Sequence, residues 1–291
     1  MKAADWQDYS VIATGNGYKL ERWGKIYLLR PDPQVIWDSE FKLDEYKKLS
    51  AKYIRSETGG GKWVKMAQFP EEWTVSYKDL KFKVKPMGFK HTGLFPEQAV
   101  NWDYMRSLIK NADREISVLN LFAYTGGATC ACLKEGAKVC HVDSAKAMVE
   151  RAKENVVLSG APDEKARFIV DDCRKFVERE IRRGRKYDAI IMDPPSYGRG
   201  PNGETWKLEN ELFSLVKTCV KVLSDRPLFF LINSYTTGLQ PQVIKNVLAT
   251  TVQKEKGGFV SAYEVGLKTE EEGIILPCGN SGIWTEKEIN G

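Results

Sequence analysis

Asp193 sits inside the stretch "YDAIIMDPPSYGRG", residues 187–200, at the point where an apolar run stops on two prolines. Ala189, Ile190, Ile191 and Met192 read as a strand buried on both faces, of the kind found inside a parallel sheet. Proline fixes its own φ and donates nothing to a strand ladder, so Pro194 and Pro195 end that strand abruptly. An acid is thereby held at a strand's carboxyl end, where open α/β sheets bind their ligands. The competing role is an acid that caps a tight turn.

Three more strand ends carry polar groups. In "LNLFAYTGGAT", residues 119–129, a buried strand runs into Thr125, Gly126 and Gly127 and then into small helical residues. Glycines there let backbone approach a ligand, and the helix that follows offers N–H groups with no helical partner. Asp143 follows "AKVCHV" about twenty residues later, a spacing that suits the two hydroxyls of a ribose. Capping of the next helix by Asp143 or Ser144 is the alternative. Asp172, in "FIVDDCRKF", can accept from an adenine amine or cap a helix. Glycine turn, ribose acid, adenine acid and D-P-P, in that order, describe a nucleoside site.

The elements needed to position these groups are legible as patterns. After residue 100, strands read at "SVLNLF", "AKVCHV", "ARFIV", "YDAIIM" and "PLFFLIN". Between them, "SAKAMVERAKENVVLS" and "LENELFSLVKTCVKVL" place apolar residues at three- and four-residue spacing, as amphipathic helices do. Such alternation implies a parallel sheet with right-handed crossovers and helices on both faces. The last segment, "GFVSAYEVGLKTEEEGIILPCGNSGIWTE", reads as hairpin strands. Before residue 90 the runs are short and alternating, "YSVIATGNGYKLERWGKIYLLR" and "WTVSYKDLKFKVK", with turns at "TGNG" and "SETGGGKW". The "GGGK" lacks the spacing of a phosphate loop.

Composition fits a soluble globular protein, with 42% hydrophobic and 29% charged residues among 291. No apolar run reaches the ~18 residues that span a bilayer, and the start lacks the apolar core of a secretory signal. The expected compartment is the cytoplasm. Six cysteines without C-x-x-C spacing, and only His91 and His141 beside them, speak against zinc and for reduced core thiols. The net charge of +5 is concentrated in the first hundred residues, which permits a nucleic-acid partner.

From about residue 90 onward the chain resembles the class I S-adenosylmethionine-dependent methyltransferases. Within them it is similar to the large-subunit ribosomal RNA enzymes that modify cytosine carbon 5 or guanine nitrogen 7. The residues that carry this are "FKHTGLFPEQAVNW", "NLFAYTGGAT", "VDSAKAMVERAKEN", "VDDCRKF" and "DPPSYGRG". The first 90 residues resemble the small β-rich domain that precedes the catalytic domain there. The resemblance implies a Rossmann-like, doubly wound α/β fold with a mostly parallel seven-stranded sheet. It sets an N-terminal β-rich domain at 1–92 and a methyltransferase domain at 93–291. It implies S-adenosylmethionine as cofactor, no metal, and RNA, ribosomal above all, as partner. Phe122, Tyr124, Thr125 and Gly126 would line the methionine and ribose end. Asp143, with Ser144, would hold the ribose, and Asp172 with Cys173 the adenine. Phe95 and Gln98 would close over the cofactor or simply pack the linker. Asp193, which also touches the cofactor, would face the transferred methyl with Pro194 and Tyr197; Tyr197 stacks a base or packs on the sheet edge.

The chemistry also shows where this sequence departs from its relatives. Cytosine carbon 5 is a poor nucleophile and needs a cysteine to add to the ring first. The D-P-P loop here reads "DPPSYG" and the loop after the next strand "LINSYTTG", with no cysteine in either. A base nitrogen needs no such adduct and is the expected target. The RNA-binding PUA domain that some relatives carry ahead of the β-rich domain has no counterpart in this sequence, which keeps a small-molecule or protein substrate as the alternative. Two basic groups can meet RNA: Lys81, Lys83 and Lys85 on one strand face, and Arg182, Arg183, Arg185 and Lys186 at a helix end. Solvation and the helix dipole account for them equally well.

Overall fold

The computed structural model describes residues 1–56, 60–88, 90–199, 205–271 and 273–288. Residues 57–59 of the glycine-rich turn, Phe89 of "FKHTGLF" and Gly200 of the D-P-P stretch lie outside them. The chain divides into two units, Met1–Val100 with Gly266–Cys278, and Asn101–Val265 with Gly279–Gly291. The boundary therefore differs from the expected 92/93. The reason is that the tip of the last hairpin bonds into the first unit: the Glu270 and Glu271 amides donate to the Val11 and Ile12 carbonyls, both at 2.9 Å.

The first unit is the expected β-rich one. Its five-stranded sheet runs in chain order through β1 (Tyr9–Gly15), β2 (Tyr18–Trp23), β3 (Ile26–Pro31), β4 (Ala51–Arg55) and β5 (Gly61–Lys65). A separate ribbon pairs β6 (Trp73–Tyr77) with β7 (Leu80–Val84). Alternation explains β7: Leu80, Phe82 and Val84 are buried while Lys81 and Lys83 point outward. Lys85 falls just past the strand, and Lys83 and Lys85 both pair with Glu72, at 3.6 and 3.9 Å. Glu21 is fully buried, accepting from the Tyr9 hydroxyl at 2.7 Å and from the Arg30 guanidinium. Burial by itself would raise its pKa, but Arg30 and Lys19 hold it down at about 2.

The second unit opens on α1 (Ala99–Lys110) and then alternates: β8 (Ser117–Leu121), α2 (Gly127–Lys134), β9 (Lys138–Asp143), α3 (Lys146–Leu158), β10 (Ala166–Val170), α4 (Cys173–Arg182), β11 (Ala189–Met192). A short ribbon follows, β12 (Tyr197–Arg199) against β13 (Thr205–Lys207), then α5 (Leu208–Val220), β14 (Phe229–Ser234), α6 (Pro241–Leu248) and the hairpin β15 (Phe259–Lys268) and β16 (Ile275–Thr285). The sheet order is β10-β9-β8-β11-β14-β16-β15, parallel from β10 to β14, with β16 antiparallel to β14. Order reverses between β8 and β11, so ligands are expected at the carboxyl ends of those strands. All four residues of β11 and all six of β14 are buried, as a strand covered on both faces requires. Leu119, Leu121, Ile190 and Met192 face Phe176 of α4, Leu215 of α5 and Ile244 of α6. Each such side chain contributes ~1.5–3 kcal/mol through burial. Among the described residues no helix is long and apolar enough to cross a membrane.

Candidate functional site

The turn after β8 is tied down at every residue. The Phe122 amide donates to the Cys173 sulfur at 3.2 Å, the Ala123 amide to the Val142 carbonyl at 3.1 Å, and the Tyr124 amide to Asp143 Oδ2 at 2.9 Å. Asn155 of α3 donates to the Thr125 carbonyl at 2.9 Å, and the Gly126 amide returns to the Ala123 carbonyl at 3.0 Å. These ties hold a backbone that isolated residues avoid: φ is +54° at Phe122, +49° at Tyr124 and +84° at Gly126. Two non-glycine residues in the left-handed region are strained, and such strain persists where the surroundings over-determine it. The glycines serve packing more directly than ligand approach. A Cβ on Gly126 would meet that of Ala152 at 2.9 Å, and one on Gly127 would meet the Trp102 ring at 2.5 Å.

Beneath this turn lies a buried polar trio that pattern reading passed over. Asn120 donates to Thr129 Oγ1 at 3.0 Å, and that hydroxyl faces His141 Nδ1 at 2.9 Å. Because Thr129 already accepts from Asn120, its proton goes to Nδ1, which leaves the imidazole proton on Nε2. Burial pushes the His141 pKa down to about 3, so the ring stays neutral and supports the fold.

Asp143 ends β9 with both oxygens engaged. Oδ2 clasps the Tyr124 amide and Oδ1 accepts from the Ala145 amide at 2.8 Å. The helix cap itself is Ala145, without a side-chain bond, and Ser144 is exposed beside it. A carboxylate has about four lone-pair positions, so two amides do not exhaust it. Asp172 is the N-cap of α4: its Oδ1 accepts from the Lys175 amide at 2.9 Å. The capping role is thus observed, and the exposed side chain keeps acceptor capacity. Cys173 is 3% exposed, burial pushes its thiol pKa well up, and its sulfur is committed to the Phe122 amide. It is a strut of the site. Thr125 is buried as well.

Asp193 follows β11 directly and accepts from Asn233 Nδ2 at 3.0 Å. Pro194 is buried, and the Pro195 carbonyl is engaged by the Trp206 indole at 2.7 Å, so of the two proline carbonyls one has a partner within the protein. Trp206 in turn lies 5.9 Å from the Phe122 ring and under the Arg174 guanidinium. Ser196 accepts from the Thr236 hydroxyl at 2.7 Å, linking the D-P-P loop to the loop after β14. Tyr197 is 52% exposed at the start of β12, too open for a side chain that packs on the sheet. Sequence patterns missed Trp206 and Asn233; an indole two residues before an amphipathic helix and an asparagine ending an apolar strand were the available signals.

Phe95 and Gln98 belong to the first unit. Phe95 precedes the 3-10 turn Pro96–Gln98, whose Gln98 amide returns to the Phe95 carbonyl, and its ring stands 5.6 Å from His91. Their family-implied role over the cofactor stays an expectation. The second unit thus gathers Phe122, Tyr124, Gly126, Asp143, Asp172 and Asp193 at the carboxyl ends of adjacent parallel strands. Three carboxylates beside a rigid amide-rich turn suit a ligand that is cationic and carries hydroxyl and amine donors, as an adenosyl sulfonium does. Among the described residues no cluster of metal-binding side chains occurs.

Residues 20–222 match the family described as S-adenosylmethionine-dependent methyltransferase. The crystal structure of the SAM-dependent methyltransferase from Agrobacterium tumefaciens has a TM-score of 0.91 at 32% identity, covering 98% of this chain and 92% of that one. Ribosomal RNA large subunit methyltransferase K/L of Shewanella frigidimarina is 29% identical over 179 residues, 61% of this chain and 24% of that protein. Its namesake from Pseudoalteromonas atlantica is 32% identical over 171 residues, 57% of this chain and 23% of that protein. The chain therefore spans about a quarter of the length of these curated relatives.

Proposed function

The chain belongs to the S-adenosylmethionine-dependent methyltransferase family, and on that premise we propose that it methylates a base nitrogen in ribosomal or other structured RNA. The cofactor, when bound, supplies an electrophilic methyl on a sulfonium. The protein's part is positioning, which for well-oriented reactants contributes up to ~7–11 kcal/mol. Asp143 would take the ribose hydroxyls, the pinned turn Phe122–Gly126 the methionine end, and Asp172 the adenine. Asp193 and Pro194 would receive the target base, with half-exposed Tyr197 as the surface on which it stacks.

The observation that carries the nitrogen assignment is the D-P-P loop itself. Its side chains, and those after β14, are Ser196, Tyr197, Ser234, Tyr235 and Thr236, and no thiol stands there to activate a ring carbon. The names of the curated relatives favour RNA, and the same reading places the enzyme in the cytoplasm. Transfer of a tritiated methyl group in extracts of cells lacking the gene tests the substrate. Ribonuclease treatment of the extract is expected to abolish labelling. Labelling that survives ribonuclease but not protease, or that stays in the small-molecule fraction, would replace RNA with a protein or metabolite acceptor.

A further inference from the structure

Asp193 lies at one end of a hydrogen-bond chain that crosses four elements of the second unit. Tyr263 of β15 donates to Asn101 Oδ1 at 2.7 Å, and Asn101 Nδ2 of α1 donates to Ser281 Oγ at 3.0 Å. Ser281 of β16 donates to Asn233 Oδ1 at 2.8 Å, and Asn233 Nδ2 of β14 donates to Asp193 at 3.0 Å. Ser281 and Asn233 are direct cross-strand neighbours, and Asn101, Ser281 and Asn233 are all at most 1% exposed.

Elementary donor counting fixes the direction. An ionised carboxylate only accepts, so Asn233 turns its NH2 to Asp193 and its carbonyl to Ser281. Ser281 then spends its one proton on Asn233 and accepts from the Asn101 NH2, whose carbonyl is left for the Tyr263 hydroxyl. At the far end burial raises the Tyr263 pKa, which keeps the phenol protonated and donating. Buried chains polarised one way reinforce each bond.

We infer that Asn233 is a positioning residue that, through this relay, holds Asp193 as an oriented acceptor, so that the site selects a base nitrogen that bears hydrogen, an exocyclic amine. The inference rests on the RNA reading for its substrate but not for the relay. An acceptor-only group repels the lone pair of a bare ring nitrogen such as guanine nitrogen 7, and attracts an N–H. The amine lone pair forms the new N–C bond, the C–S bond breaks with its electron pair passing to sulfur, and the surplus amine proton leaves through Asp193 to water.

The relay has a reporter that needs no RNA, the Asn233 side-chain amide in nitrogen-15 NMR spectra of the full chain. Its donating proton is expected downfield in wild type and displaced upfield in Ser281→Ala, with Ser281→Thr, which keeps the hydroxyl, restoring it. With deproteinised large-subunit RNA as substrate, Ser281→Ala is expected to lower kcat about tenfold with KM and cofactor affinity unchanged, and Ser281→Thr to recover it. The wild-type product is expected to be an exocyclic N-methyl nucleoside. An unmoved amide signal in Ser281→Ala, or equal kcat in both variants, would overturn the relay. A 7-methylguanosine product would overturn the amine assignment. Wild-type protein that binds cofactor and shows the relay signal yet leaves RNA unlabelled would instead sink the RNA reading and leave the relay supported.

Discussion

Replacing Asp143 by alanine separates two functions that one carboxylate serves. The Tyr124 bond is partly buried and charge-assisted, worth ~1.5–3 kcal/mol. The Ala145 bond is exposed, so water replaces it at little cost. The unliganded variant is thus expected to melt about 3–12 °C lower, at ~2–4 °C per kcal/mol for a domain of this size. If the same carboxylate holds the ribose, cofactor affinity falls at least tenfold, which corresponds to ~1.4 kcal/mol. At a cofactor concentration a hundred times the wild-type Kd, ligand stabilises wild type by ~2.7 kcal/mol and a tenfold weaker variant by only ~1.4 kcal/mol. The ligand-induced melting shift should therefore be about half that of wild type, or less. Differential scanning calorimetry with and without S-adenosylhomocysteine reads both numbers. A lowered melting point with an undiminished ligand shift would show that Asp143 only clasps the turn.

Tyr197→Ala is expected to cut turnover on RNA tenfold or more while leaving cofactor affinity and melting temperature unchanged, since stacking a base is worth ~1–3 kcal/mol; a variant that melts low at full activity would return Tyr197 to a packing role. Glu21→Gln leaves Arg30 buried without its counter-charge, and circular dichroism should show a loss of ~3–5 kcal/mol. Because its pKa is held down at about 2 from an ordinary 4.5, the stability Glu21 contributes is full above pH 4.5 and is lost as pH falls toward 2; an acid-unfolding curve identical in Glu21→Gln would contradict this. Gln at Lys81, Lys83 and Lys85 together should flatten the salt dependence of RNA binding by about one phosphate's worth, a log–log slope of ~0.7–0.9, because Glu72 already offsets Lys83 and Lys85; an unchanged slope would move the RNA elsewhere.

Much of the catalytic unit was legible because its signals are local. β10 has the expected limits, Ala166–Val170, since an apolar run between a helix and an acid leaves few alternatives. The expected second domain was present, but β4 and β5 were not foreseen: "AKYIR" and "GKWVK" are polar on one face and flanked by no clear breaker. The ribbon of β12 and β13 was hidden for the same reason. Within the site, strand-end acids could be read because a parallel sheet gathers strand ends. The ties between distant segments could not. Cys173 bonds to Phe122, Asn155 to Thr125 and Asn233 to Asp193 across 30 to 51 residues, and nothing in local periodicity encodes such pairs. The domain boundary failed similarly, through hydrogen bonds made by the far end of the chain.

Mass-spectrometric mapping of methylated nucleosides in ribosomal RNA, from cells with and without the gene, tests the central claim most directly. The account predicts one N-methylated base that disappears with the gene and returns when purified protein and S-adenosylmethionine are added to the undermodified RNA. Identical maps from the two strains, or loss of a 5-methylcytosine in place of an N-methylated base, would contradict it.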